Sequence, residues 1–370
     1  MQATQALIHL DNLSYNLAAI RKKIGKGCAI CLPIKADAYG HGSVPIAQAA
    51  LKAGVSHFAI ATVQEGEALR KAGISAPLLL FSIPLPEELD SLARYDLQAF
   101  VTDSSFATEL SKAAKKQGAM LTVHLKIDTG MGRIGCRVED AAALAQGIEG
   151  LKNLKIAGCA SHLSVSDSQD TDDLAYTERQ LSAFHKAIGS IRKCGIQSGL
   201  LHIANSGGIL LHKASHLDMV RPGILSYGYY PSEETRNLIQ LKPVMELRTR
   251  VVFIKNIRKG ESVSYGRIWT ADRDTKIGTL PIGYADGLPR LLSNNLSVSI
   301  AGKFYPLVGR ICMDQCMVDL GPHSDVQRFE SVSIFGGPAS GADELAQKLE
   351  TISYEILCGI NKRVPRVYTK

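Results

Sequence analysis

The sequence lacks the features that mark membrane, secreted and nucleic-acid-binding proteins. No apolar run approaches the roughly 20 residues that a transmembrane helix needs. The first six residues contain no basic segment followed by an apolar one, as a signal peptide would. The net charge is +7, but lysine and arginine are scattered and form no basic stripe interleaved with aromatic residues. We therefore expect a cytoplasmic protein that binds neither nucleic acid nor a membrane.

Cysteine is too sparse for a disulfide framework, with 8 residues in a chain of 370. Cys28 and Cys31 lie within one apolar run, where strand alternation would direct them to opposite faces, so we expect buried free thiols. Cys312 and Cys316 have no companion histidine or cysteine at the spacing of a zinc site. The sequence therefore predicts no bound metal.

Apolar strands alternate with helical segments over roughly the first two thirds of the chain. A composition of 45% hydrophobic and 21% charged residues is typical of a globular protein, and the length allows two domains. About eight strand–helix units predict an α/β fold with an N-terminal (β/α)8 TIM barrel over residues 1–234, and a doubly wound sheet is the alternative. The predicted strands are 28–34, 57–61, 77–81, 98–101, 121–127, 155–161, 200–204 and 217–220.

From about residue 235 the helical periodicity disappears and short β-rich runs take its place. Turn residues such as Lys259 and Gly260 separate these runs. The pattern predicts a mainly β C-terminal domain over residues 235–370, with one helix around 342–350. The β-rich runs are 244–257, 275–281, 296–300, 304–308, 316–319 and 331–335.

Lys35 comes directly after the apolar run of the first predicted barrel strand. A buried ammonium group is costly, and a lone lysine at such a place usually extends its amine to the surface. A lysine whose pKa is lowered can instead hold a carbonyl cofactor as a Schiff base. The glycines at 40 and 42 predict a tight turn beside it, so the other strand ends decide between these interpretations.

Four further strand ends carry polar residues, and the carboxyl ends of barrel strands form the rim where barrel enzymes place their active sites. Arg133 lies in the glycine-rich segment after the fifth predicted strand, and His162 and Ser206 follow the sixth and seventh. Arg221 follows the eighth. Taken singly, such residues are more often structural, but their convergence on one rim favours a functional site.

The last two strand ends also suit a phosphate group. The hydroxyl of Ser206 and the backbone N–H groups of Gly223 and Ile224 are suitable donors, and barrels frequently bind phosphate after strands seven and eight. A phosphate site together with the lysine at position 35 points to pyridoxal phosphate, although many barrels combine these two features.

Eight short motifs follow one another over essentially the whole chain. They are KADAYGHG at 35–42, KIDTGMGRIG at 126–135, HIANS at 202–206, VSYG at 263–266, IGYADG at 282–287, GRICMDQ at 309–315, ISYE at 352–355 and RVPR at 363–366. In these motifs the chain resembles the alanine racemases, pyridoxal-phosphate enzymes with an N-terminal barrel and a C-terminal β-domain.

The resemblance implies a two-base interconversion of L-alanine and D-alanine that supplies D-alanine for peptidoglycan synthesis. It implies a head-to-tail homodimer in which Lys35 carries the cofactor and exchanges a proton with D-alanine. Tyr265 of the partner subunit would act on L-alanine from the opposite face. The other matched residues are the cofactor-binding Tyr39, His162, Ser206, Arg221, Gly223, Ile224 and Tyr354, and the substrate-binding Arg133 and Met313.

Three finer roles also come from the resemblance. Arg221 would face the pyridine nitrogen of the cofactor, held in place by His162. Tyr284 would narrow the entrance to the site. Lys126, which ends the fifth predicted strand, matches a lysine that carries a carbamate in many members of the family.

The sequence leaves three alternatives to an alanine racemase open. A basic amino-acid decarboxylase has a barrel and a β-domain, but it is expected to place a carboxylate where Arg221 stands. A non-catalytic pyridoxal-phosphate carrier would lack the second domain that supplies Tyr265. A racemase for serine or for a broader set of amino acids differs only in the pocket, which the tyrosines at 284 and 354 would make narrow.

Overall fold

The computed structural model describes residues 2–369, which form seventeen strands and ten right-handed helices of five residues or more. In chain order the strands are β1 Gln5–His9, β2 Ala29–Pro33, β3 His57–Ile60, β4 Leu78–Leu80, β5 Gln98–Val101, β6 Leu121–Lys126, β7 Leu154–Ala160, β8 Leu200–His202, β9 Met219–Val220, β10 Met245–Arg250, β11 Phe253–Ile257, β12 Thr275–Leu280, β13 Ser297–Ile300, β14 Lys303–Val308, β15 Cys316–Gly321, β16 Ser331–Phe335 and β17 Arg366–Thr369. The helices are α1 Leu10–Ile24, α2 Ser43–Lys52, α3 Val63–Lys71, α4 Leu89–Arg94, α5 Ser104–Lys116, α6 Ala141–Glu149, α7 Thr171–Lys193, α8 Ser206–Leu211, α9 Ala342–Lys348 and α10 Ser353–Gly359.

The chain divides into two compact units. The first, called the barrel unit, consists of Leu13–Ala38 and Ser43–Leu241. The second, called the β unit, contains the segment up to Asn12, the segment Tyr39–Gly42 and the chain from Lys242 onward.

Eight parallel strands form the sheet of the barrel unit, in the order β8-β7-β6-β5-β4-β3-β2-β9. The two ends of this sheet are joined by backbone hydrogen bonds, because Asp218 N donates to Leu201 O over 3.1 Å and Arg221 N donates to Ala204 O over 3.0 Å. The predicted (β/α)8 barrel is therefore confirmed, and each of the eight predicted strands is present with ends shifted by two residues at most.

The barrel strands are apolar along most of their length because helices cover the outside of a parallel sheet. Their side chains are almost all buried, as in β4, where all three leucines are enclosed. The helices between them begin with ordinary caps. The Thr62 hydroxyl accepts a hydrogen bond from Glu65 N at the start of α3, and Asp103 Oδ1 accepts one from Phe106 N at the start of α5.

Nine strands form the sheet of the β unit, in the order β11-β12-β15-β14-β13-β16-β10-β1-β17. Neighbouring strands are antiparallel except for β1 and β17, which pair in parallel. The expectation of a mainly β C-terminal domain is confirmed, and α9 and α10 lie between its last two strands in sequence.

The N-terminal strand β1 lies in the β unit, whereas the sequence predicted that residues 1–234 belong to the barrel domain. Ala6 and Ile8 point into the core of the β unit, and β1 pairs with β10 on one side and with β17 on the other. Its neighbours in the sheet are more than 230 residues away in sequence, so the local pattern around it did not show which sheet it joins. The division at residue 234 otherwise stays a prediction.

None of the helices within residues 2–369 combines the length and the apolar character that crossing a membrane requires. Among the same residues, no group of three or more histidine, cysteine, aspartate or glutamate side chains is arranged to hold a metal ion.

Candidate active site

Lys35 lies at the carboxyl end of β2 and begins an unusual turn. The four residues that follow, Ala36 to Tyr39, have φ angles between 51° and 55°, so the chain makes a left-handed helical turn without a glycine. Each residue in this conformation costs about 1–2 kcal/mol because its Cβ crowds the following carbonyl oxygen. Interactions with the surrounding protein must therefore stabilise the turn.

In the barrel unit, two carboxylates hold the turn after Lys35. Glu65 of α3 accepts hydrogen bonds from Ala36 N over 2.6 Å and from Ala61 N over 2.7 Å. Asp37 accepts one from Ser43 N, the first residue of α2, over 2.7 Å. The sequence predicted a tight turn here, but it did not predict the left-handed path or the part played by Glu65.

Arg221 follows β9 and is almost fully buried, with 3% of its surface exposed. Its guanidinium group donates to Ser161 O over 2.7 Å and to Ile203 O over 2.9 Å, and it contacts His202 Nδ1 at 2.8 Å and His162 Nδ1 at 3.1 Å. Within residues 2–369 it forms no ion pair with a carboxylate. A buried cation is thus held by neutral acceptors alone.

Burial and the surrounding cations set the charge state of this group. Burial lowers the pKa of Arg221 to about 10, which leaves the guanidinium charged at neutral pH. Burial, followed by the charge of Arg221, lowers the pKa of His162 well below its usual value. His162 is therefore neutral and accepts a hydrogen bond from Arg221.

Ser206 and the segment at Gly223 follow two neighbouring barrel strands. The hydrogen bond from Arg221 N to Ala204 O brings the ends of these strands side by side. Ser206 Oγ is buried and has no hydrogen-bond partner among residues 2–369. A buried hydroxyl without a partner is unfavourable, so this position suits an oxygen-rich ligand such as a phosphate group. Gly223 and the buried Ile224 begin a short helical turn directly after the neighbouring strand end.

Lys126 is a second buried cation of the barrel unit. It ends β6 with 3% of its surface exposed, and its amine donates to Ile127 O over 3.2 Å. Burial, followed by the charge of Arg221, lowers its pKa to about 8. The nearby Asp128 opposes this effect only in part, and the charge of Arg133 adds to it.

Arg133 is exposed on the loop that follows β6. The loop is closed at its base by hydrogen bonds from Asp128 N to Cys136 O and from Cys136 N to Lys126 O, each 2.9 Å long. The Asp128 carboxylate accepts from Gly130 N over 3.0 Å and also from Gly132 N. These contacts hold the loop in place and leave the Arg133 side chain open to solvent.

In the β unit, Tyr265 is the most exposed of the predicted site residues, with 70% of its surface in solvent. It begins a short turn that Ser264 fixes by donating to Arg310 O over 2.6 Å. Ser264 and Gly266, on either side of the tyrosine, both have positive φ angles.

Met313 and Tyr284 lie on two loops of the β unit that touch each other. Ala285 N donates to Met313 O over 3.0 Å, and Tyr284 N donates to Cys312 O over 3.1 Å. Met313 has 54% and Tyr284 43% of its surface exposed. The two side chains therefore belong to one exposed surface.

The sequence also missed the ion pairs that tie these loops together. Arg363 donates to Asp286 and to Asp314, each over 2.7 Å, and so joins three segments of the β unit. Its motif was visible in the sequence, but its role depends on contacts between residues about 50 and 80 positions apart. Elsewhere in the same unit, the rings of Tyr39 and Tyr354 lie 5.8 Å apart.

Known proteins closely resemble this chain along its whole length. Two family models match it, Alanine racemase, N-terminal domain, over residues 8–231 and Alanine racemase, C-terminal domain, over residues 244–368. A Treponema denticola protein named alanine racemase is 52% identical, with 100% of this chain and 98% of that protein covered.

Solved structures agree with these sequence matches. An alanine racemase from Clostridium difficile 630 gives a TM-score of 0.95 at 35% identity, with 100% of this chain and 96% of that chain covered. The crystal structure of alanine racemase from Bacillus anthracis with bound L-Ala-P gives a TM-score of 0.92 at 32% identity, with the same shares covered.

Proposed function

Since this chain belongs to the alanine racemase family, we propose that it is an isomerase that interconverts L-alanine and D-alanine with pyridoxal phosphate. The observation that supports this proposal is a set of three groups at the carboxyl ends of barrel strands: a lysine, a buried arginine, and a buried serine hydroxyl with no hydrogen-bond partner among residues 2–369. The family further implies that the D-alanine serves peptidoglycan synthesis in the cytoplasm.

The barrel residues fit the proposed cofactor. Lys35 would bind it covalently, Arg221 would face its pyridine nitrogen with His162 holding Arg221 in place, and Ser206 would receive its phosphate. The remaining phosphate-binding residues that we propose are Tyr39, Gly223, Ile224 and Tyr354. When bound, pyridoxal phosphate supplies an electron-withdrawing ring that lets the substrate α-carbon lose a proton.

Arg221 directs this chemistry towards racemisation. With a pKa of about 10 it keeps its proton at neutral pH, so it would donate a hydrogen bond to the ring nitrogen without protonating it. A ring held by such a donor would withdraw electrons less strongly than a protonated one, which would favour return of the proton to the α-carbon. The decarboxylase alternative expects a carboxylate at this place, and the family assignment excludes it.

Racemisation needs one proton-exchanging group on each face of the α-carbon. We propose that Lys35 exchanges the proton on the face from which D-alanine loses it, and that Tyr265 acts on the L-alanine face. Arg133 and the backbone N–H of Met313 would bind the substrate carboxylate. The substrate pocket would be narrowed by Tyr284.

A racemisation assay tests the proposed function and its substrate range. We expect L-alanine to be converted to an equal mixture of both antipodes, and L-serine, L-lysine and L-arginine to react more slowly. The readout is circular dichroism of the amino acid after addition of pyridoxal phosphate. Faster racemisation of serine than of alanine would instead support the alternative of a serine or broad-range racemase.

The exposed position of Tyr265 supports a head-to-tail homodimer in which each site uses residues of both chains. We expect inactive Lys35→Ala and Tyr265→Ala proteins to regain activity when mixed under conditions of subunit exchange. Random pairing would restore about a quarter of the wild-type sites, because each mixed dimer contains one intact site.

The exchange of subunits is followed with a tagged and an untagged chain. Mixing either variant with itself is the control and should restore nothing. If exchange occurs without any recovery of activity, each site is built from a single chain and the shared-site proposal is wrong.

We also propose that Lys126 carries a carbamate. A carbamate forms from the neutral amine and CO2, and a pKa of about 8 leaves a larger neutral fraction than an ordinary lysine has. The product is an anion that balances the nearby positive charges of Arg133 and Arg221.

The carbamate gives a specific nuclear magnetic resonance signal. In the presence of 13C-bicarbonate, the protein should show one carbamate carbon that increases as the pH rises from 6 towards 8, where neutral Lys126 becomes more abundant. Lys126→Ala should remove the signal, while Lys155→Ala, at an exposed lysine of β7, should keep it. A signal that survives in Lys126→Ala would contradict the assignment.

A further inference from the structure

A line of polar side chains runs through the interior of the barrel away from Arg221. Arg221 Nη1 lies 2.8 Å from His202 Nδ1, and His202 Nε2 lies 2.9 Å from His124 Nδ1. His124 Nε2 in turn lies 3.2 Å from Gln98 Oε1 on β5. Both histidines are buried, and the ring of His202 stacks on that of Phe100.

Two features of strands β6 and β7 leave room for the His124 side chain. A side chain at Gly158 of β7 would collide with His124 Nδ1, so only glycine leaves room for the imidazole. The register between β6 and β7 also shifts between Val123 and His124. At these two positions the strands next to His124 therefore leave space for its ring.

The direction of every hydrogen bond in the line follows from its charged end. Arg221 can only donate, so His202 must present a lone pair at Nδ1 and carry its proton at Nε2. That proton is donated to His124 Nδ1, which leaves the His124 proton at Nε2. The line therefore ends in a donor that needs an acceptor, and Gln98 supplies one through its amide oxygen.

Both histidines are neutral, as this arrangement requires. Burial lowers the pKa of His124 to about 3, with smaller contributions from His57 and Arg221. Burial and the charge of Arg221 lower the pKa of His202 well below its usual value, and His124, His57 and Lys126 add to this effect. Neutral imidazoles have two tautomers, so the acceptor at the far end influences which one is populated.

We propose that Gln98 is a positioning residue. By accepting a hydrogen bond from His124, it stabilises the tautomers of His124 and His202 that Arg221 requires, and so keeps a lone pair directed at Arg221. If the far end offered a donor, His124 would carry its proton at Nδ1 and His202 would present an N–H to the guanidinium group. Two donors would then face each other and Arg221 would move. The effect on catalysis rests on the proposed function, whereas the tautomers are a property of the barrel itself.

A series of substitutions at position 98 changes the hydrogen-bonding group that faces His124 Nε2. Gln98→Glu keeps an acceptor oxygen, Gln98→Met removes the polar group at similar length, and Gln98→Lys offers a donor. Two-bond 1H–15N spectra of the 15N-histidine-labelled holoenzyme at pH 9 report which ring nitrogen of each histidine is protonated. The signals are assigned with single substitutions of His124 and His202.

We expect wild type and Gln98→Glu to show both histidines protonated only at Nε2. Gln98→Met should give mixed tautomers and a kcat lowered about tenfold with KM unchanged, and Gln98→Lys should give Nδ1 protonation of both rings and a kcat lowered about 100-fold. Gln180→Met, which removes another buried glutamine of the barrel unit, is the matched control. It should lower the thermal stability without altering either tautomer.

Two results would overturn the proposal. One is a wild-type His202 protonated at Nδ1. The other is a Gln98→Met protein whose tautomers and kcat equal those of wild type, a test that holds even if Gln98→Lys does not fold. Because the spectra do not depend on turnover, correct tautomers in an enzyme that fails to racemise alanine would refute the proposed function alone.

Discussion

Lys35→Ala is expected to abolish racemisation and covalent attachment of pyridoxal phosphate. Removal of a general base alone typically lowers a rate about 100- to 10,000-fold. Because Lys35 is proposed both to hold the cofactor and to exchange the α-proton, the loss should lie at or beyond the upper end of that range. Borohydride reduction followed by mass spectrometry of peptides should find the cofactor on Lys35 in the wild type and nowhere in the variant.

The left-handed turn is the reason why we expect the cofactor on Lys35 and on no other lysine. Ala36 and Asp37 are fixed by hydrogen bonds to Glu65 and Ser43, so the backbone at Lys35 has one direction in which to project its side chain. Lys155→Ala removes an exposed lysine of the same unit and should leave both attachment and activity unchanged. Reducible cofactor still bound covalently to the Lys35→Ala protein would show that another residue carries it.

Tyr265→Phe is expected to affect the two antipodes unequally. With one base on each face, the variant should lose α-proton exchange from L-alanine by about 100- to 10,000-fold, while exchange from D-alanine, assigned to Lys35, is largely preserved. Single-turnover incorporation of deuterium at the α-carbon measures each direction separately. Steady-state racemisation cannot separate the two directions. Because the equilibrium constant between the antipodes is fixed, a slower reaction in one direction also slows the other.

Tyr305→Phe, which removes a hydroxyl from β14 in the same unit, is the control and should exchange both antipodes at the wild-type rate. The exposure of Tyr265 argues that its substitution will not disturb folding. Equal slowing of both antipodes in Tyr265→Phe would favour a single base that serves both faces.

The sequence by itself was sufficient to predict the barrel. Its strands are continuous apolar runs, and such runs can be recognised from the local sequence pattern. The lengths of β2 to β9 were predicted within a few residues, and so was the change to a mainly β domain. The order of motifs identified the family, which the family models confirm. The roles assigned to individual residues, such as Tyr265 and Met313, stay predictions.

Only the tertiary structure decided which distant segments meet. Strand β1 joins the β unit through partners at the other end of the chain, and Arg363 joins loops whose sequences give no sign of one another. Hydrogen bonds from outside the local sequence also support the left-handed turn after Lys35. The line from Arg221 to Gln98 joins residues of β5, β6 and β8 to the segment after β9, and its hydrogen-bond directions follow from the fixed charge at one end. Such pairings arise from packing of the folded chain, whereas periodicity reports only the preference of each segment.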